Sequence, residues 1–225
     1  ARNIDGADFP GLESRSPYLR HGIVGGNTVM PAIIRDSRDI LAPDVPASAF
    51  NAVIGNARER LRAMTGRVRI ERAEHLDGAV HVRVIVDHSV GHKFPTGFPA
   101  RRAWLAVEVL DGDGQVLSAS GLWDRRGRIL GRAGVLPTEL PGGPTEPHHD
   151  TIDSPDSVQI YESVMSDPEG NHTYTLLRAS GYVKDNRMLP EGFDRDSPDA
   201  ATSLPIGVGE DENFGNGTDT VEYQL

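Results

Sequence analysis

His148-His149-Asp150 sets two imidazoles beside a carboxylate, the densest group of metal-ligating side chains in the sequence. Adjacent side chains of an extended segment point to opposite sides, so one histidine and the aspartate can share a site. A zinc enzyme using His148, His149 and Asp150 would need a further ligand from elsewhere, and no His-Glu-x-x-His pair exists. Oxygen ligands are plentiful, at Asp111/Asp113, Asp194/Asp196 and Glu210-Asp211-Glu212-Asn213 with Asp219. None follows the EF-hand spacing, and turns and solvated loops account for most such stretches. The 210–219 stretch is the best Ca²⁺ candidate, through Asp211, Asn213 and Asp219, and His148 is the histidine candidate for a metal.

Three further histidines sit at informative places. His21 precedes a Gly-Gly turn, where it is either a surface side chain or a metal or haem ligand. His88 and His92 are four apart, but at a strand end and in a turn, so the spacing does not imply a shared metal. The absence of cysteine excludes disulfides, Cys-ligated zinc, a cysteine nucleophile and covalent haem attachment through C-x-x-C-H. There is no G-x-S-x-G elbow, Walker loop or dinucleotide fingerprint; Ser118-Ala119-Ser120-Gly121 and Gly207-Val208-Gly209 are the nearest phrases. The reading is therefore a non-enzymatic protein. The net charge of −10 argues against a nucleic-acid partner. No apolar run reaches the roughly 18 residues of a membrane span. The chain starts at Ala1, which predicts removal of an N-terminal piece.

The elements that must position these groups follow from periodicity. Residues 1–26 read as an irregular arm. A helix capped by Asn27 or Thr28 carries Ile33, Ile34, Ile40 and Leu41 and stops before Pro43; a second from about Ser48 carries Phe50, Val53, Ile54, Ala57, Leu61 and Met64 in one stripe. The period then changes to two. Val68 and Ile70, then Val80, Val82, Val84 and Val86 after an Asp77-Gly78 hairpin turn, then Ala103, Leu105, Val107 and Val109 predict antiparallel strands over 67–120 with one buried face. Residues 121–156 and 181–218 read as loop, with strands at 158–165 and 172–179. Val221, Tyr223 and Leu225 begin a strand at the chain end, which predicts either that the chain is a fragment or that another chain completes the sheet. The expected fold is mainly β: an antiparallel β-sandwich-like domain, 67–225, preceded by an irregular segment and two short helices, 1–66. Between two core strands lies the loop 91–104, GHKFPTGFPARRAW, where Pro95 and Pro99 restrict the backbone that carries His92, Lys93, Arg101 and Arg102.

Three phrases carry a family likeness. VGHKFPTGFPARRAWLAVEVLDGDGQVLSASG at 90–121, VQIYESVMSDPEGNHTYTLLRASGYVKDNRMLPEGF at 158–193 and HGIVGGN at 21–27 resemble the C-terminal β-rich region of periplasmic multihaem c-type cytochromes. The resemblance implies a periplasmic or extracellular location and a hetero-complex with a multihaem cytochrome chain or other redox subunit. It implies non-covalent contact with haem c held by that partner, with His21 as an axial ligand, although Ile23 stands where the family has Phe. It also marks the loop histidine, His92. By residue type, Lys93, Arg101 and Arg102 are candidates to pair with haem propionates. The expected role is that of an accessory subunit of an electron-transfer assembly. The alternatives are a Ca²⁺- or carbohydrate-binding β-module and a metal-dependent hydrolase.

Overall fold

The computed structural model describes residues 2–4, 15–18, 24–97, 101–198 and 200–225. His21 lies outside them. The chain divides into two compact units, Ala1–Ala63 and Met64–Leu225.

In the first unit, β1 (Arg2–Ile4) pairs antiparallel with β2 (Arg15–Tyr18). Helices α1 (Val29–Asp36), α2 (Arg38–Leu41) and α3 (Ala47–Ala63) follow. Asn27 Oδ1 accepts the otherwise orphaned N–H groups of Val29 and Met30, both at 3.0 Å, and so starts α1. The single helix expected here is two, because the backbone leaves helical geometry at Ser37, and Ala42 in the left-handed region then ends α2 ahead of Pro43. The apolar stripe of α3 is only partly covered: Ile54 and Ala57 are buried, whereas Val53 and Leu61 are exposed.

The second unit is mainly β. Strands β3 (Gly66–Leu76) and β4 (Ala79–His88) form a hairpin whose turn residues, Asp77 and Gly78, both have positive φ, as a tight two-residue connection requires. Short strands follow: β5 (Ala103–Trp104), β6 (Val107–Leu110), β7 (Val116–Ser120), β8 (Leu130–Gly131), β9 (Gly134–Val135), β10 (Thr151–Ile152), β11 (Ile160–Tyr161), β12 (Ser163–Ser166), β13 (His172–Thr173), β14 (Gly181–Asp185) and β15 (Thr218–Gln224). The largest sheet has the order β10-β15-β4-β3. Its β10–β15 pair is parallel, so the unit is not wholly antiparallel.

Further local expectations differ from the structure, short strands within the stretches read as irregular or loop among them. Val68 and Ile70 are exposed although they lie opposite Val86 and Val84. Paired residues share a face, but the core is built over β4 and β15, and the edge strand β3 lies beyond its rim. The strand expected over 172–179 stops at Thr173, because a turn closes with Arg178 N–H donating to Thr175 O, and the chain re-enters the sheet as β14. The final strand β15 is flanked on both sides, by β4 and by β10.

Two buried clusters result. One joins Val82, Val84 and Val86 to Ile152, Tyr161, Met188, Val221 and Tyr223. The other comprises Ile129, Leu136, Val158 and Ile160. The period-two alternation of 158–162 divides them: Gln159 and Tyr161 face one way, Val158, Ile160 and Glu162 the other.

Candidate functional site: a buried histidine–aspartate cluster and an exposed loop histidine

The segment 146–150, the 158–162 alternation, the loop before β15 and β15 itself bring His148, Asp211 and Asp219 together. One ligand atom from each lies within 4.8 Å of the others. His148 and Asp211 have side chains 2% exposed and meet at 2.9 Å, Nε2 to Oδ2. Asp211 Oδ1 accepts the backbone N–H groups of Asn213 and Phe214, an Asx-type turn that fixes the carboxylate. Asn213 joins the cluster without facing it: its Oδ1 accepts Thr220 N–H and its Nδ2 donates to Asp150. Phe214 packs edge-on against the imidazole with ring centroids 4.9 Å apart.

The position of the His148 proton follows from two amides. Asn186 Oδ1 accepts Glu162 N–H and its Nδ2 donates to Ile160 O, so two backbone groups fix which end is NH₂. Gln159 Oε1 likewise accepts His149 N–H. Both NH₂ groups point at His148 Nδ1, at 3.0 and 2.8 Å. Nδ1 must therefore accept, and Nε2 carries the hydrogen and donates it to Asp211. Burial lowers the His148 pKa, with Asp211 opposing through its hydrogen bond.

Asp219 is fully buried. Its Oδ2 accepts the Tyr161 hydroxyl at 2.7 Å and Gln159 Nε2 at 3.2 Å, and its Oδ1 accepts Thr220 N–H. Burial pushes its pKa up to about 6, and the charge of Asp211 adds to the rise while Tyr161 and Gln159 oppose it. Tyr223, buried beside it on β15, has its pKa raised by burial and by the Asp219 charge; its hydroxyl has no partner among the described residues.

This arrangement is a closed hydrogen-bond network. A cation taken up through His148 would displace the Nε2 hydrogen, and the ring could not compensate at Nδ1, where two N–H donors already point. The donor set therefore does not fit a metal held through His148. Nor does Asn213 fit as a ligand, since both ends of its amide are engaged. The neighbouring His149 faces away, donating to Glu146 Oε1 at 2.8 Å.

The loop candidates lie apart from this cluster. Lys93 Nζ meets Asp185 Oδ2 at 2.6 Å, and Arg187 holds the same carboxylate through two further bonds. Burial would raise the Asp185 pKa, but Arg187 and Lys93 outweigh it and hold it below the usual carboxylate range. Arg102 forks onto Glu139, with Nη2 to Oε2 at 2.7 Å, and lies 5.3 Å from the Trp104 ring centroid. Both cations are thus spent within the chain and do not fit propionate pairing. Among the described residues Arg101 reaches only Thr96 O, and it is exposed.

His92 is exposed, and its Nδ1 lies 3.0 Å from the Lys93 carbonyl oxygen. A carbonyl only accepts, so Nδ1 carries the hydrogen and the Nε2 lone pair points away from the backbone. Its loop is anchored where Phe94 and Met188 exchange two backbone hydrogen bonds of 2.9 Å. His88, by contrast, is a buried structural side chain that donates to Leu189 O, with its pKa lowered by burial.

Gln159, Asn186, Tyr161 and Glu146 make hydrogen bonds to this cluster and to His149 that residue type did not announce. The signal available for Gln159 and Tyr161 was a polar group at alternate positions of an otherwise apolar strand. No protein-family model, curated protein or solved structure matches this chain.

Proposed function

We propose that this chain is a haem-associated accessory module of a periplasmic or extracellular multihaem electron-transfer assembly, reaching a haem held by a partner chain. Two things support the reading: the likeness of 90–121 and 158–193 to the β-rich region of multihaem cytochromes, and the state of His92. The second carries it. A histidine whose Nδ1–H is tied to a backbone carbonyl keeps Nε2 free and oriented, the usual arrangement of a metal-ligating imidazole. The haem would supply the redox centre. This chain would supply the His92 Nε2 nitrogen to hold the group, on a loop that Lys93 anchors through Asp185. Arg101 remains the cation available to a propionate.

Titration of the purified chain with haemin, followed by absorption spectroscopy, tests this. The expected result is the shifted Soret band of histidine-ligated haem, which His92→Ala abolishes and which substitution of the exposed His75 leaves intact. Equal spectra for the wild type and His92→Ala would overturn the role of His92.

A further inference from the structure

A cleft of about 1010 Å³ opens within the second unit, between the 138–146 loop and the 162–174 hairpin. It is at the upper end of the roughly 300–1,000 Å³ typical of small-molecule sites. Two of its side chains are held with half of each carboxylate reserved. Glu146, only 6% exposed, uses Oε1 to accept both His149 Nε2–H and Val158 N–H. Glu162 uses Oε1 to accept from Lys184 Nζ at 3.2 Å. Among the described residues neither Oε2 accepts a hydrogen bond, and both glutamates line the cleft.

We propose that this cleft binds an organic cation, an alkyl ammonium whose head lies between Glu146 and Glu162 and whose stem lies along Leu140, Pro144 and Val164. Four observations select this chemistry. The free carboxylate oxygens are acceptors only, so they need a ligand that donates. Arg102 is the one Lys or Arg among the lining residues, and Glu139 already occupies it, which disfavours an anion. Tyr174, 64% exposed, presents a ring at the cleft wall, where an aromatic face attracts a cation. Leu140, Pro144, Ile160 and Val164 also line the cleft and suit a methylene stem. The net charge of −10 favours the approach of such a ligand.

An alkyl ammonium can come from a free diamine or from a lysine side chain. Calorimetric titration at low salt with cadaverine, with acetyl-Ala-Lys-Ala-amide and with 1-pentanol separates these. Saturable binding of either amine supports the proposal, and the tighter of the two identifies the source. Glu162→Gln and Glu146→Gln each remove one charge-assisted bond, so each should weaken the amine by about tenfold or more. Glu162→Gln disturbs fewer internal bonds and carries the test if Glu146→Gln does not fold. Pentanol binding as tight as cadaverine, undiminished affinity in Glu162→Gln, or no heat from either amine would overturn the proposal.

Discussion

Asn186 Nδ2 donates to His148 Nδ1 at 3.0 Å, and two backbone groups leave the amide no freedom to turn round. With Gln159 Nε2 at 2.8 Å from the same nitrogen, two side chains thereby decide where their neighbour holds a proton. The double variant Gln159→Leu, Asn186→Asp removes both donors from Nδ1 and puts an acceptor there. His148 should then carry its hydrogen on Nδ1, with its pKa raised above the wild-type value, as nitrogen-15 NMR of the ring would report. Freed at Nε2, the ring would face Asp211 and Asp219 as a ligand, and zinc should raise the melting temperature of the variant but not of the wild type. An unchanged tautomer would sink the argument.

Asp219 makes stability depend on pH. Its folded pKa of about 6 lies above the 3.8 ordinary for an aspartate, so the folded state binds more protons between those values. Stability from this group is full below the unfolded pKa and falls as pH rises through about 6, by on the order of 2–3 kcal/mol. His148 has the opposite sign: its lowered pKa means stability lost as pH falls below the ordinary histidine range. In urea melts between pH 4 and 8, Asp219→Asn should remove the first component and expose the second. Parallel pH profiles for the two proteins would refute the assignment.

Arg102→Ala strands Glu139, whose side chain is 5% exposed, as a buried carboxylate without its fork. Breaking a buried pair on one side costs about 3–5 kcal/mol, and the partial exposure of Arg102 places the expectation at the lower end. Arg102→Lys keeps the charge but not the bidentate geometry and should fall between the two. Denaturant midpoints for the three proteins check the order.

Val68 and Val84 occupy the same sheet face with opposite fates, at 61% and 3% exposure. Val68→Ala should change stability by no more than about 0.5 kcal/mol, as for other surface positions. Val84→Ala leaves a cavity in the larger core and should cost about 1–3 kcal/mol. Equal effects would mean that β3 is covered in solution.

The sequence discloses what repeats locally. The valines of β4 and the Asp77-Gly78 turn declare a hairpin because strand period and turn chemistry are properties of a few adjacent residues. His148, Asp211 and Asp219 could be named by type, but not joined, since their meeting depends on pairings across most of the second unit. The deciding residues, Gln159 and Asn186, are amides with no chemistry of their own to advertise. Their role arises from which backbone group each end meets. The burial of Lys93 against Asp185 was hidden for the same reason: a lysine in a Gly- and Pro-rich loop reads as a free surface charge until its partner strand is in place.

β15 lies between β10 and β4, so Tyr223 on the last strand faces Val82 on an early one. Folding of this sheet is therefore governed by the longest loop closure in the second unit. Contacts so distant in sequence slow the search for the native state. During synthesis β4 would wait, with a row of valines and an unpaired edge, until nearly all of the chain described here had been made. Until then, the hairpin formed with β3 is the only part of the sheet that can form locally, and that waiting edge is where mispairing would begin.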